Sequence, residues 1–467
     1  NVVLESSNTY LFSTDEVTNG SLGAYDVSDL SDIQYLGEFR PTPGTNSIPH
    51  YAWAKDNYVV TAWYRDGVII TDVSNPSAMV KVGEYDTSPF SGNGFNGAWG
   101  VYPYFPSGII AATDIEEGLF ILSPTYTQAC FLEGVVADAV TGSNIFGADV
   151  QITSFPAAST STGLAGNYIT GIAEAGAFAV TFSKVGYESL TVDAVEFING
   201  ETTVLNVELT PMPNFVVSGQ VVDASTGLGI PNASVLLDGL EVDLYATADA
   251  DGFFTIPSVF ENTYDFYAGK WGYKTKQNPD VLVDTDTEIF IALNTGYYDD
   301  FIFDFSWTNT ATASSGGWER GEPVGTEYGP GFANPQFDVS ADFGDKAYVT
   351  GNGGGGVGTD DVDDGSVTLI SPAFDLTDYS NAFLSVDFWW FNNGGTGMPN
   401  DTLKMILNNG TSTSVIVLDN GLTTLANWDN QLIKISDYIP PTANMHVQFS
   451  TADLAATGHL VEAAIDR

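Results

Sequence analysis

The chain has 467 residues, with 13 Lys plus Arg against 59 Asp plus Glu and a formal net charge of −46. That balance excludes binding nucleic acid by phosphate neutralisation, and attraction to anionic lipid, because both need a basic face. With 43% hydrophobic residues and 13% aromatics the chain builds sizeable cores, and its length suits three or four domains.

Val, Ile, Thr, Tyr and Phe recur in short runs between 49 glycines, and no long stretch spaces apolar residues helically. The pattern predicts an all-β chain. The acidity has two readings, solubility in a salty medium and carboxylates gathered for divalent cations. Cys130 is the sole cysteine, so no intrachain disulfide forms. No apolar run spans a bilayer, which predicts no direct membrane insertion. The chain reads as starting mid-pattern at Asn1-Val2-Val3 and stopping abruptly at Asp466-Arg467, as a trimmed product would.

Residues 1–124 carry a degenerate repeat. A strand-like run 10–16 precedes the segment holding Asp26, run 58–64 precedes Asp72, and run 109–117 precedes Ser123. The spacings, 46 and 51 residues, suit four-stranded propeller blades. Three blades do not close a ring, so either upstream blades are missing or another chain supplies them. NTYLFSTDEVTNGSLGAYDVSD, IPHYAWAKDNYVVTAWYRDGVIITDVSNP and GFNGAWGVYPYFPSGIIAATDIEEGLFIL resemble the choice-of-anchor B proteins with their LVIVD-type propeller repeats. The resemblance implies an exported bacterial surface protein with a varying C-terminal anchor, a type IX sorting domain or a lipid among the options, and no established activity.

Residues 130–210 and 215–295 repeat one another. Gly134 and Asp138 match Gly219 and Asp223, Ala148 matches Ala233, and Gly186-Tyr187 matches Gly272-Tyr273. Alternating strands between Gly and Asp-Gly turns predict one small β-sandwich per copy. Both copies resemble the carboxypeptidase regulatory-like, prealbumin-type module, which implies a spacer. Pro211-Met212-Pro213 between them reads as a short, stiff linker.

Residues 299–467 form the last predicted domain. Phe303-Asp-Phe-Ser-Trp307, Gly317-Trp318, SPAFDLTDYSNAFLSVDFWWFNN and VEAAID resemble MAM-like jelly rolls of secreted bacterial proteins. That resemblance implies structural calcium and a last strand ending in an EAAIDD-like motif, cut here at Asp466-Arg467.

The sharpest chemical feature is the glycine run ending in Asp360, Asp361, Asp363 and Asp364. Carboxylates so crowded repel unless water or a hard cation screens them, so a calcium loop and a solvated acidic turn both stand. A hard cation draws oxygens from scattered segments, and Asp342, Asp345 and Asp466 are the further candidates. An EF-hand is excluded, since Val362 stands where the template needs an acid. Around Asp249 and Asp251 the pattern predicts a hairpin turn instead.

His50, His446 and His459 make no zinc-ligand spacing, and no G-x-S-x-G elbow occurs, so no catalytic residues are assigned. Trp389 and Trp390 are neighbours in a predicted strand, so one indole faces the core and the other is a candidate sugar-stacking ring; packing of both is the competing reading. In the propeller segment Trp53, Trp63, Tyr64 and Trp99 read as blade packing. The expected role is a non-catalytic, calcium-stabilised adhesion, binding or scaffold protein at a bacterial cell surface, with a surface glycan or protein as ligand. The alternatives are a glycan-binding accessory part of a secreted hydrolase, and a subunit of a homo-oligomeric filament or coat.

Overall fold

The computed structural model describes residues 2–5, 9–239, 242–395, 399–453 and 458–467. It is all-β, and the chain divides into two compact units, Asn1–Met212 and Pro213–Arg467. No helix among the described residues is long and apolar enough to cross a membrane.

The first unit opens with consecutive antiparallel meanders. Val2–Leu4, Tyr10–Thr14, Leu22–Asp26 and Gln34–Phe39 pair in chain order, as do Tyr51–Lys55, Tyr58–Trp63, Gly67–Asp72 and Val80–Tyr85. Ala98–Tyr102, Ile110–Asp114 and Gly118–Leu122 make a third sheet of three strands. Strand residues alternate between faces, and the middle sheet uses both. Val59, Trp63 and Ile69 pack with Phe12 and Leu22, whereas Val60, Ala62, Val68 and Ile70 pack with Val101 and Ile110. This is why Tyr58–Trp63 and Gly67–Asp72 are buried along their whole length. The repeated aspartate closes the turn after the third strand. Oδ1 of Asp72 accepts from the Ser74 amide at 2.8 Å, and Oδ1 of Asp26 accepts from the Ser28 amide at 2.9 Å.

Two sandwiches share one topology. In the first unit Cys130–Asp138 lies between Asn167–Ile172 and the parallel pieces Thr202–Val204 and Val207–Leu209. The second sheet runs Thr160–Ser161, Asp149–Ile152, Gly176–Ser183, Leu190–Phe197. In the second unit Asn214–Asp223 lies between Phe253–Phe260 and the parallel Thr287–Leu293. Its second sheet runs Leu244–Thr247, Ser234–Asp238, Asn262–Gly269, Lys276–Val283. The matched glycines sit where the first strand crosses the last. A Cβ on Gly134 would lie 1.9 Å from the Leu205 carbonyl oxygen, and one on Gly219 would lie 1.8 Å from that of Ile289. The matched Asp–Tyr pairs also meet: Tyr187 donates to Asp138 at 2.9 Å and Tyr273 to Asp223 at 3.2 Å.

The C-terminal part is a pair of five-stranded antiparallel sheets. One runs Thr308–Ala311, Gly365–Ile370, His446–Asp453, Leu403–Asn408, Thr413–Asp419. The other runs Trp318–Gly321, Ala347–Thr350, Leu460–Asp466, Phe383–Asn393, Asp429–Lys434. Leu369, Met405, Val447 and Phe449 from the first meet Phe388, Trp390, Ala463 and Ile465 from the second. Inside the second unit Ile302, Phe303 and Phe305 pack on Leu236 and Tyr267, and the Trp271 indole donates to the Ala373 carbonyl at 2.7 Å. The C-terminal sheets are thereby fastened to the preceding sandwich by apolar contact.

Candidate cation sites at the two ends of one strand

The strand Leu460–Asp466 lies inside the second C-terminal sheet and delivers a different acidic group at each end. Seven residues at about 3.3 Å each place the two ends roughly 20 Å apart.

At the C-terminal end Asp466 joins Asp338 and Asp342, one oxygen of each lying within 4.8 Å of the others. Asp466 is 1% exposed, and its oxygens accept from the amides of Val339 at 3.1 Å and Arg467 at 2.8 Å. Both oxygens of Asp342 are shielded from solvent and accept no hydrogen bond among the described residues. Burial pushes the Asp466 carboxyl up strongly, and the charge of Asp342 adds to it. Asp342 is raised by burial and then by Asp338, and Asp338 by burial and then by Asp345. Behind them Asp300 is buried, its Oδ2 without a hydrogen-bond partner among the described residues, and it is pushed up to about 7 by burial and by Asp299, with Asp342 contributing. The nearby Arg467 places its Nε on Asp387 at 2.8 Å, and its charge only partly offsets the rise that burial and Asp338 impose on Asp342. Carboxylates held this close need a shared proton or a cation.

The acidic loop sits at the other end. Asp360 Oδ2 accepts from the Gly353 amide at 2.7 Å, which folds the glycine run back on the aspartates. Asp361 is buried and pushed up to about 6, first by burial and then by Asp363. Asp364, at φ 53°, turns the chain into Gly365–Ile370, whose first residue pairs with Asp453. Here Asp401, Asp453 and His459 bring their ligand atoms within 4.8 Å of one another. Glu462, wholly buried, accepts from Thr350 Oγ1 at 2.8 Å and is driven far up by burial.

The seven predicted ligands therefore do not form one site. Asp342 and Asp466 meet, with Asp345 exposed near Asp338, whereas Asp360, Asp361, Asp363 and Asp364 belong to the far end. Sequence reasoning missed Asp338, Asp401 and Asp453, and it set His459 aside for want of a zinc-ligand spacing. His459 and Asp401 are 58 residues apart, and Asp466 and Asp338 are about twice as far apart again, so no spacing motif marks them. The one local signal is position, since Asp453 ends one of the last two strands and His459 directly precedes the other.

The expectation of a sugar-stacking tryptophan at 389–390 is not met. Trp389 is 8% exposed and Trp390 3%, and their indoles donate to the carbonyls of Ala333 and Gly421. The outer face of their sheet is covered by Tyr328, Phe332, Ala333 and Trp428, so both faces are dry. In the first unit Trp63 and Tyr64 are buried as expected for packing, but Trp99 is 53% exposed and stacks on His50. Tyr102, Tyr104 and Phe105 continue the exposed aromatic surface in contact with one another.

A family model of the LVIVD repeat matches residues 52–87, and that of the carboxypeptidase regulatory-like domain matches 132–210 and 216–294. The chain thus carries an LVIVD repeat and two tandem carboxypeptidase regulatory-like domains. No curated protein matches it. Among solved structures, a streptococcal ancillary pilin aligns at 15% identity and a TM-score of 0.26, over 41% of this chain and 76% of that one. The shaft pilin SpaA from Lactobacillus rhamnosus GG aligns at 10% identity and 0.21, over 37% and 99%. A type II cohesin–X-dockerin complex from Acetivibrio cellulolyticus aligns at 27% and 0.15, over 18% of this chain and 58% of that one.

Proposed function

We propose that this chain is a non-catalytic, modular binding or scaffold protein of a bacterial cell surface, in which calcium stabilises the C-terminal sandwich. The observation that carries the calcium reading is the group Asp338, Asp342 and Asp466, with two shielded oxygens of Asp342 accepting no hydrogen bond among the described residues. Calcium takes six to eight oxygens in flexible geometry, and carboxylates from separate segments of chain suit it. The stacked meanders of residues 2–122 are read as propeller blades, the tandem regulatory-like domains as spacers, and the paired five-stranded sheets as a MAM-like jelly roll. The LVIVD repeat at residues 52–87 supports placing the chain with the choice-of-anchor B proteins, and with them export to the surface, by a type IX route or another. The acidic loop at Asp360, Asp361, Asp363 and Asp364 supplies negative field to its own end of the sandwich.

A second reading, glycan binding, is favoured by the exposed rings of Trp99, Tyr102, Tyr104 and Phe105. Such faces stack on sugars without ordering many side chains.

Thermal unfolding of the full chain in calcium and in chelator tests the first reading. A ligand that binds only the folded state at a hundred times its Kd stabilises by about 2.7 kcal/mol. The expected result is an upward shift reversed by chelator; identical curves refute the calcium reading.

A further inference from the structure

We propose that Asp401, Asp453 and His459 form a second, chemically distinct metal site, selective for a first-row divalent ion of the zinc class over calcium. This goes beyond the calcium reading and uses none of its ligands.

The three side chains come from three separate segments: the start of Leu403–Asn408, the end of His446–Asp453 and the entry to Leu460–Asp466. All are buried, and one ligand atom of each lies within 4.8 Å of the others. His459 Nδ1 stands 2.8 Å from Asp401 Oδ2. Asp401 is held in turn by Asn392, whose Nδ2 donates to its carbonyl at 3.3 Å. The observation that points to a ligand is Asp453. It is 2% exposed, its Oδ1 accepts no hydrogen bond among the described residues, and its carboxylate belongs to the same close group. A buried carboxylate oxygen left so is costly, and an ion in the group removes that cost.

The donor set selects the ion. Two carboxylates and one imidazole make up the three protein ligands that a zinc site with an open position uses. Imidazole nitrogen suits zinc, cobalt and related ions, whereas calcium takes oxygen. The ion would bind the neutral imidazole and the ionised carboxylates in place of the direct contact between Nδ1 and Asp401. Asp363 and Asp364 add negative potential at Asp453, and among the described residues no lysine or arginine pairs with these acids. The competing explanation is a buried ion triad in which protonated His459 is itself the cation. That triad binds no metal.

The test uses the untagged full chain, stripped of metal and then held in saturating calcium to fill oxygen-only sites. Zinc is titrated calorimetrically, and cobalt is added as a spectroscopic probe. The expected result is one zinc equivalent that calcium does not displace, and visible cobalt absorption of a four-coordinate nitrogen–oxygen site. His459→Gln and, separately, Asp453→Asn should each weaken zinc binding by at least about 100-fold. Both should keep the calcium-dependent unfolding shift, which also shows that they fold. No zinc equivalent in the parent chain, displacement by calcium, or zinc binding unchanged in both variants overturns the proposal.

Discussion

Replacing Asp342 by Asn should have opposite effects with and without calcium. In the metal-free protein the Asp338–Asp342–Asp466 group retains protons that the unfolded chain has lost, because burial and mutual repulsion raise these carboxyls. For an acid whose folded pKa lies above its unfolded value, the folded state binds more protons between the two, and stability falls as pH rises. One retained proton gives a slope of about 1.4 kcal/mol per pH unit, so moving from about pH 5.5 to about pH 8 costs roughly 3 kcal/mol. In a unit of this size that is a fall of about 6–12 °C in Tm. The Asp342→Asn substitution removes one charge, so in chelator the variant should lose less stability over that range and be the more stable protein at about pH 8. In calcium the order should reverse, because the cation has lost a carboxylate. The assay is thermal unfolding of both proteins across that pH range, in chelator and in excess calcium. A variant that is less stable than the parent in chelator at the alkaline end, or that keeps the full calcium shift, refutes the reasoning.

The remaining predictions concern the tandem sandwiches. Gly134→Ala and Gly219→Ala each drive a methyl group into a backbone carbonyl of the parallel last strand and should destabilise by about 1–3 kcal/mol in denaturant titrations; a neutral change would show that the strands part freely. Tyr273→Phe and Tyr187→Phe each remove one donor to the turn aspartate and should cost about 0.5–1.5 kcal/mol. The Ser225 hydroxyl and then the turn amides of Thr226 and Ser225 hold Asp223 below the usual carboxylate range, so its contribution is present above the unfolded pKa and lost as pH falls through the folded one. The Tyr273→Phe deficit should therefore shrink in acid, and a constant deficit would place the effect in packing instead.

What the sequence made legible is what repeats or acts locally. Gly134 and Gly219 stand 85 residues apart because each marks the same backbone crossing, and Asp138 and Asp223 because each closes the same turn. Asp26 and Asp72 follow the same logic in the meanders, where alternation also assigns Val59 and Val60 to opposite faces. Alternation misled at Trp389 and Trp390 because it supposes a wet outer face. The segment holding Tyr328, Phe332 and Ala333, far away in sequence, covers that face, and the strand is buried from Val386 to Asn392.

The acids show the other limit. Crowding along the chain drew attention to Asp360, Asp361, Asp363 and Asp364, yet closeness in sequence says nothing about which distant carboxylates share their space. A single strand settles that question in the fold. Leu460–Asp466 carries Asp466 to Asp338 and Asp342, while His459, just before it, meets Asp401 and Asp453. Separation along that strand leaves the two groups only weakly coupled, since two unit charges about 20 Å apart interact by roughly 0.8 kcal/mol at an effective dielectric of about 20. Each group can then follow its own donor chemistry, oxygens alone at one end and oxygens with an imidazole at the other. The two sets of variants are accordingly expected to act independently, and additivity of Asp342→Asn with His459→Gln is the direct measure of that separation.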